Sequence, residues 1–194
     1  VVTTLARWRA RHPDTTVLSL ETGFARDYRP GQPYAGYYAS DAALFPVASH
    51  REDLPAKTRV YGLVRGGEAA AFPVEAVAAA RVWNAAVGGE PVVLLSPGTV
   101  LTLQQDHPDL GRLRWRAGGA VRAYAAGGRR FQEAEEEGLV RDEAGRPWRV
   151  TEAALVGPEG DRAPRLPGTL AYWFAWQAFH PGTALPAEPE PAQE

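Results

Sequence analysis

Four glycine pairs, Gly66-Gly67, Gly88-Gly89, Gly118-Gly119 and Gly127-Gly128, constrain this chain more than any other feature. Glycine reaches positive φ at little cost, and two glycines between short apolar runs supply what a tight primed β-turn requires. The spacing predicts one hairpin from residues 59–64 and 68–72 and a second from 81–87 and 90–95. A meander through 121–125 and 129–134 is expected, punctuated by the last two pairs. Residues 99–103 are β-like and 106–111 are turn-rich, while 112–116 set Leu113 and Trp115 against arginines in the alternation of a half-exposed strand. A further hairpin joins 139–140 to 148–150, and 157–167 reads as irregular.

Helical signals are few. Thr4 is placed to cap a helix through Arg11, with Leu5 and Trp8 on one face and Pro13 as its stop. Pro73 opens an alanine-rich helix over 74–80, since proline costs nothing in a first turn. Thr169 is read as the cap of a closing helix through Phe179. Its Leu170, Trp173, Phe174, Trp176 and Phe179 cover more than one stripe, which predicts the most buried element of the chain. Residues 15–20 suggest a short strand. The expected fold is mainly β, of the α+β kind: consecutive antiparallel hairpins with a few short helices, the C-terminal helix packed on the sheet. One globular domain is expected over 1–186, followed by a Pro/Glu tail at 187–194 with the composition of a disordered end. Helical stretches are too few for a doubly wound parallel sheet.

Composition narrows the function classes. No cysteine is present, which removes thiolate nucleophiles, disulfides and Cys-ligated metals. Net charge is −2 with acids and bases interspersed, so the basic face of a nucleic-acid binder is missing, and no apolar run approaches the roughly 20 residues of a membrane span. A single lysine, Lys57, among 21 basic residues, a single asparagine, Asn84, no methionine and 17 prolines resemble the usage of a thermophile with a GC-rich genome. A chain without methionine at position 1 reads as processed or truncated.

Between Glu21 and Lys57 the chain loses all secondary-structure period while gathering Phe24, Tyr28, Tyr34, Tyr37, Tyr38 and Phe45. Connections this long are functional or disordered, and the rings favour an ordered, aromatic-anchored loop. Arg26, Asp27, Tyr28, Tyr37, Tyr38, Asp41, His50 and Arg51 are its ligand-binding candidates. Asp27, Tyr28 and His50 are the parts of an alternative acid–base site. The same side chains equally suit a network that satisfies loop backbone. No nucleophile elbow, Walker loop or dinucleotide fingerprint occurs, so no cofactor is expected.

An internal echo links the two ends. Trp8-x3-His12-Pro13-x-Thr15 matches Trp176-x3-His180-Pro181-x-Thr183 in spacing. An indole and an imidazole one turn apart could form an aromatic site, or a paired-histidine metal site if the helices met; the plainer reading is a Trp anchor and a His-Pro stop. Four histidines, three of them before prolines, offer no closed tetrahedral set, so no metal is expected.

GFARDY at 23–28, the Tyr-Tyr-x-Ser-Asp-x-x-Leu-Phe-Pro-Val segment at 37–47, Asp53-Leu54-Pro55-x-Lys57, and Trp173-Phe174-Ala175-Trp176 with Phe179-His180-Pro181 resemble a prokaryotic family called domain of unknown function 3179. The resemblance covers most of the chain and is to the downstream half of fuller members, which carry an upstream half with a similar glycine-hairpin unit and a Cys-Pro-Leu-Cys segment. It implies an extracytoplasmic protein and no particular activity. Where the family has Asn-Asp-Thr-Val-Gly-Gly this chain has Asn84-Ala85-Ala86-Val87-Gly88-Gly89, the cysteine segment has no counterpart near Leu95-Ser96-Pro97, and Thr-Gly-Ser-x-Trp-Asp is reduced to Ala144-Gly145-Arg146-Pro147-Trp148-Arg149. Polar groups are lost while turns and aromatics stay. The sequence therefore favours an extracytoplasmic binding or interaction module without catalysis, for an unknown ligand or protein partner. The alternative is a hydrolase-like acid–base enzyme with its site in 21–57.

Overall fold

The structure, a computed structural model, describes residues 5–28, 34–44, 46–47, 51–98 and 100–189. His50 and Phe45 of the sequence reading lie outside the described residues, as do Thr4 and positions 190–194 of the tail. Two short helices come first, α1 (Leu5–Arg11) and α2 (Ala35–Ala39), followed by β1 (Arg59–Arg65), β2 (Glu68–Pro73) and α3 (Val74–Ala80). Then come β3 (Val82–Val87), β4 (Glu90–Leu95), β5 (Val100–His107), β6 (Gly111–Gly119), β7 (Arg122–Ala125) and β8 (Phe131–Glu133). The chain closes with β9 (Leu139–Asp142), β10 (Pro147–Val150), β11 (Ala154–Val156), β12 (Arg162–Leu166), β13 (Thr169–Tyr172) and α4 (Trp173–Phe179). It is a mostly β fold of antiparallel ladders.

Eight strands form one sheet in the order β3-β4-β7-β12-β11-β10-β9-β8. That sheet curls until its two edges meet. The side-chain amide of Asn84 on β3 donates to the Phe131 carbonyl at 2.7 Å and accepts the Phe131 amide at 2.8 Å. The lone asparagine thus does for β8 what a neighbouring backbone would do, and an ion pair from Arg81 to Glu133 at 2.5 Å spans the same seam. Alternation along the strands then gives the curled sheet two apolar faces. Val93 and Leu95 join Tyr124, Phe131, Val140, Trp148 and Leu155 inside, whereas Val92 and Leu94 face outward.

A three-stranded sheet, β13-β1-β2, covers that outer face. Tyr61, Leu63, Ala70 and Phe72 meet Trp83, Val87, Val92 and Leu94, with Val74 and Val77 of α3 in the same cluster. Phe72 and Trp83 pack edge to face at 5.4 Å. On the opposite face of the small sheet, Val60 and Ala71 receive Trp173 and Trp176 of α4. A Cβ at Gly62 would lie 2.3 Å from the Trp176 ring, so glycine there is what lets the indole rest on the strand. The Gly66-Gly67 and Gly88-Gly89 turns also touch one another. A Cβ on Gly88 would sit 2.2 Å from the Arg65 carbonyl, and Arg65 pairs with Glu90 across the two turns.

Several expectations are corrected here. Gly118-Gly119 does not turn the chain: it ends β6, where the register with β5 shifts between Leu101 and Thr102, a bulge with Gly118 at φ +89°. Gly127-Gly128 is a turn, but β7 pairs with β4 and β12 while β8 pairs with β9, so there is no local meander. Positive-φ residues mark where the chain bends and carry no information about its partners. Residues 15–20 form no strand, and 16–20 lie exposed. Residues 162–166, expected to be irregular, are β12, paired on both sides. Thr169 opens β13 rather than a helix, because its stretch pairs with β1, and Phe179 is 82% exposed. The aperiodic stretch 21–57 contains α2.

Candidate functional site

The candidates from the loop region fall into three places. Arg26, Asp27 and Tyr28 lie on an exposed segment, where Tyr28 Oη and Thr22 Oγ1 share a hydrogen bond at 2.6 Å and Arg26 stands over the Phe24 ring at 5.8 Å. Tyr37 and Tyr38 enter an aromatic cluster. Tyr38 stacks on Trp115 at 6.0 Å, Tyr37 meets Tyr172 edge-on at 6.3 Å, and Tyr172 stacks on Phe174 at 5.9 Å. With Tyr34 and Leu44 the tyrosines line a shallow apolar hollow of about 250 Å³. Lys57 secures it, with Nζ 3.5 Å above the Tyr37 ring and donating to the Tyr37 carbonyl and, at 2.7 Å, to that of Ser40. Burial lowers the Lys57 pKa, and the nearby Asp41 charge opposes that shift.

Arg51 is elsewhere, packed against α4. It forks onto Asp53 at 2.8 and 3.2 Å, donates to the Thr183 carbonyl at 2.6 Å, and lies 5.1 Å over Trp173. Its own amide donates to Gln177 at 2.6 Å. These contacts fasten the last part of the loop to the closing helix and the segment after it, a structural task. The two echoed histidines are structural in the same way, for each packs on the tryptophan of its own helix. Among the described residues no group of three or more His, Asp or Glu is disposed to hold a metal ion.

A larger hollow than the aromatic one lies in none of these places. A cleft of about 890 Å³ opens where the β3–β8 seam ends, at the mouth of the curled sheet, with α1 across it. Val82, Leu95, Val140 and Val150 give it an apolar wall continuous with the interior core, and Glu133 and Glu135–Glu137 form its opposite rim. Its floor is ionic. Glu152 takes Arg122 through Nη2 at 2.6 Å, Arg165 at 2.7 Å, and Arg11 from α1. The bond from Arg122 holds the Glu152 carboxyl below the usual carboxylate range against the opposing cost of burial, and the other two arginines add to it. Beneath, Tyr124 Oη donates to the Thr151 carbonyl at 2.7 Å, and burial pushes its pKa up to about 12.

Arg81 stands at the lip with φ 59° and ψ −40°, a backbone region that side chains other than glycine rarely occupy. Its amide donates to Val77 O and its carbonyl accepts from Ser96 N, both at 2.9 Å, so the strained turn is held from both sides. None of Arg11, Arg81, Arg122, Glu152 or Arg165 was a candidate from the sequence. The one legible signal was Arg122 at the head of the otherwise apolar run Arg122–Ala125, which asks for a counter-charge without saying where it comes from.

The family model described as "Protein of unknown function (DUF3179)" matches residues 1–183. The chain belongs to that family. It matches no curated protein and no solved structure. The DUF3179 match takes in both the aromatic hollow and every residue of the cleft, so either lies within what the family model describes.

Proposed function

We propose that the protein is a binding module whose ligand sits in the cleft at the mouth of the curled sheet. The observation that carries this is the cleft itself: about 890 Å³, walled by Val82, Leu95, Val140 and Val150 and floored by a part-exposed ion cluster, it has the size and mixed lining of small-molecule sites, and barrel mouths commonly hold them. Recognition suits it better than proton transfer. A general base works best with a pKa near the operating pH, and Glu152 is pushed the other way by three guanidiniums. The aromatic hollow is smaller than the roughly 300 Å³ at which ligand pockets begin, and it suits a single anchoring side chain. An extracytoplasmic setting is part of this proposal and rests on the family resemblance alone.

A panel of metabolite-sized compounds, followed by thermal shift and two-dimensional NMR, tests the reading. Ala134 lines the cleft from the β8–β9 connection, so Ala134→Trp fills the mouth without entering a strand. Binders should lose their shift in this variant and keep it in Tyr34→Ala. Binders that depend on Tyr34 and ignore Ala134→Trp would move the site to the aromatic hollow and defeat the proposal. Steady consumption of a bound compound would replace binding with catalysis.

A further inference from the structure

The geometry points to the class of ligand: a small molecule with one carboxylate on an apolar body, its carboxylate seated by Arg11 and Arg122, with Arg165 behind them on Glu152. This rests on the cleft being a binding site. Three guanidiniums, those of Arg11 and Arg122 in the cleft wall and that of Arg165 behind them, converge on the single carboxylate of Glu152, so positive charge is in local excess around it. The neighbouring phenols of Tyr61 and Tyr124 do not supply the missing anion, since burial keeps both protonated. A guanidinium presents five donors in a planar fork that suits a carboxylate, and Arg122 is already held in place by its paired bonds to Glu152. Arg11 differs from the other two. Its side chain is half exposed on α1, so it can turn from Glu152 to a ligand without disturbing the sheet.

The walls set the rest of the molecule. Val82, Leu95, Val140 and Val150 accept an aliphatic body of a few carbons. Glu133 and Glu135–Glu137, which also line the cleft, repel a second negative charge, which disfavours polyanions.

The test measures the Kd of 4-methylpentanoate by NMR titration at low salt, beside its neutral isostere 4-methylpentanamide and the polyanion citrate. The acid should bind at least tenfold more tightly than either and weaken as salt is raised. Arg11→Gln, on an exposed helix, should loosen the acid about tenfold and leave the amide unchanged. Glu152→Gln, which removes the competing charge, should tighten it. Equal binding of acid and amide, or indifference to Arg11→Gln, overturns the inference while leaving Ala134→Trp-sensitive binders to support the cleft. Tighter binding of citrate overturns it as well.

Discussion

The chain builds one local device twice and uses it in opposite ways. After α1, the Trp8 indole donates to Thr15 Oγ1 at 2.8 Å and stacks on His12 at 4.2 Å and 33°. After α4, Trp176 donates to Thr183 Oγ1 at 2.9 Å and stacks on His180 at 4.1 Å and 37°. The backbone repeats too, with the histidine amide bonded to the tryptophan carbonyl at 2.9 Å in both and the threonine amide to the histidine carbonyl at 3.1 and 2.9 Å. Yet Trp8 is 41% exposed while Trp176 is 5% exposed. The spacing W-x3-H-P-x-T therefore fixes a helix-ending geometry by itself. What that geometry is worth depends on whether a surface with a Gly62 lies beneath it.

Replacing the two tryptophans separates the copies most sharply. Trp176→Ala empties a buried indole site and should cost about 3–5 kcal/mol, whereas Trp8→Ala should cost about 0.5 kcal/mol or less. Denaturant midpoints measure both, and equal losses would mean that α4 is as peripheral as α1. Next comes the socket. Gly62→Ala drives a methyl into the Trp176 ring and should cost about 1–3 kcal/mol, but in a Trp176→Ala background the same change should be nearly silent. Additive losses in that double-mutant cycle would show that the glycine serves the strand rather than the indole.

The threonines give a smaller contrast. Thr183→Val leaves a buried indole N–H unpaired, at about 1–3 kcal/mol, while Thr15→Val hands its indole to water and should cost only about a few tenths. The smallest effect is one of pH. Arg11 ties the exposed copy to Glu152, whose folded pKa is depressed, first by its bond to Arg122. A depressed carboxyl pKa contributes stability that is fully present above the unfolded value of about 4.3 and is lost as pH falls through the lower folded value. Protection of the His12 amide from hydrogen exchange, taken relative to the intrinsic rate at each pH, should therefore fall below about pH 4, before that of the His180 amide. Simultaneous release of both would mean that α1 is not tethered through Glu152.

Legibility followed the range of the forces involved. The hairpins β1–β2, β3–β4 and β9–β10 were visible because turn chemistry and strand alternation act over a few residues. The hairpin β9–β10 shows how local this is: the buried Asp142 carboxylate accepts the amides of Ala144 and Arg146, the Arg146 guanidinium and the Trp148 indole, all within six residues. The echoed motif was legible for the same reason. Strand β12 was not, since Arg162–Leu166 has ordinary local propensity and becomes a strand only through β7 and β11 on its two sides. Nor was the ionic floor of the cleft, whose arginines come from α1, β7 and β12 and whose carboxylate follows β10.

By itself, then, the sequence determined where the hairpins β1–β2, β3–β4 and β9–β10 turn, where the helices end, and that the strands would be antiparallel, because glycine and proline impose those choices on neighbouring atoms. The tertiary structure decided that the eight-stranded sheet curls until Asn84 can reach Phe131, that one tryptophan motif is buried and its twin left in water, and that three distant arginines share one glutamate. Each of those depends on strands far apart in sequence being brought together, and burial and charge pairing exist only once they have met.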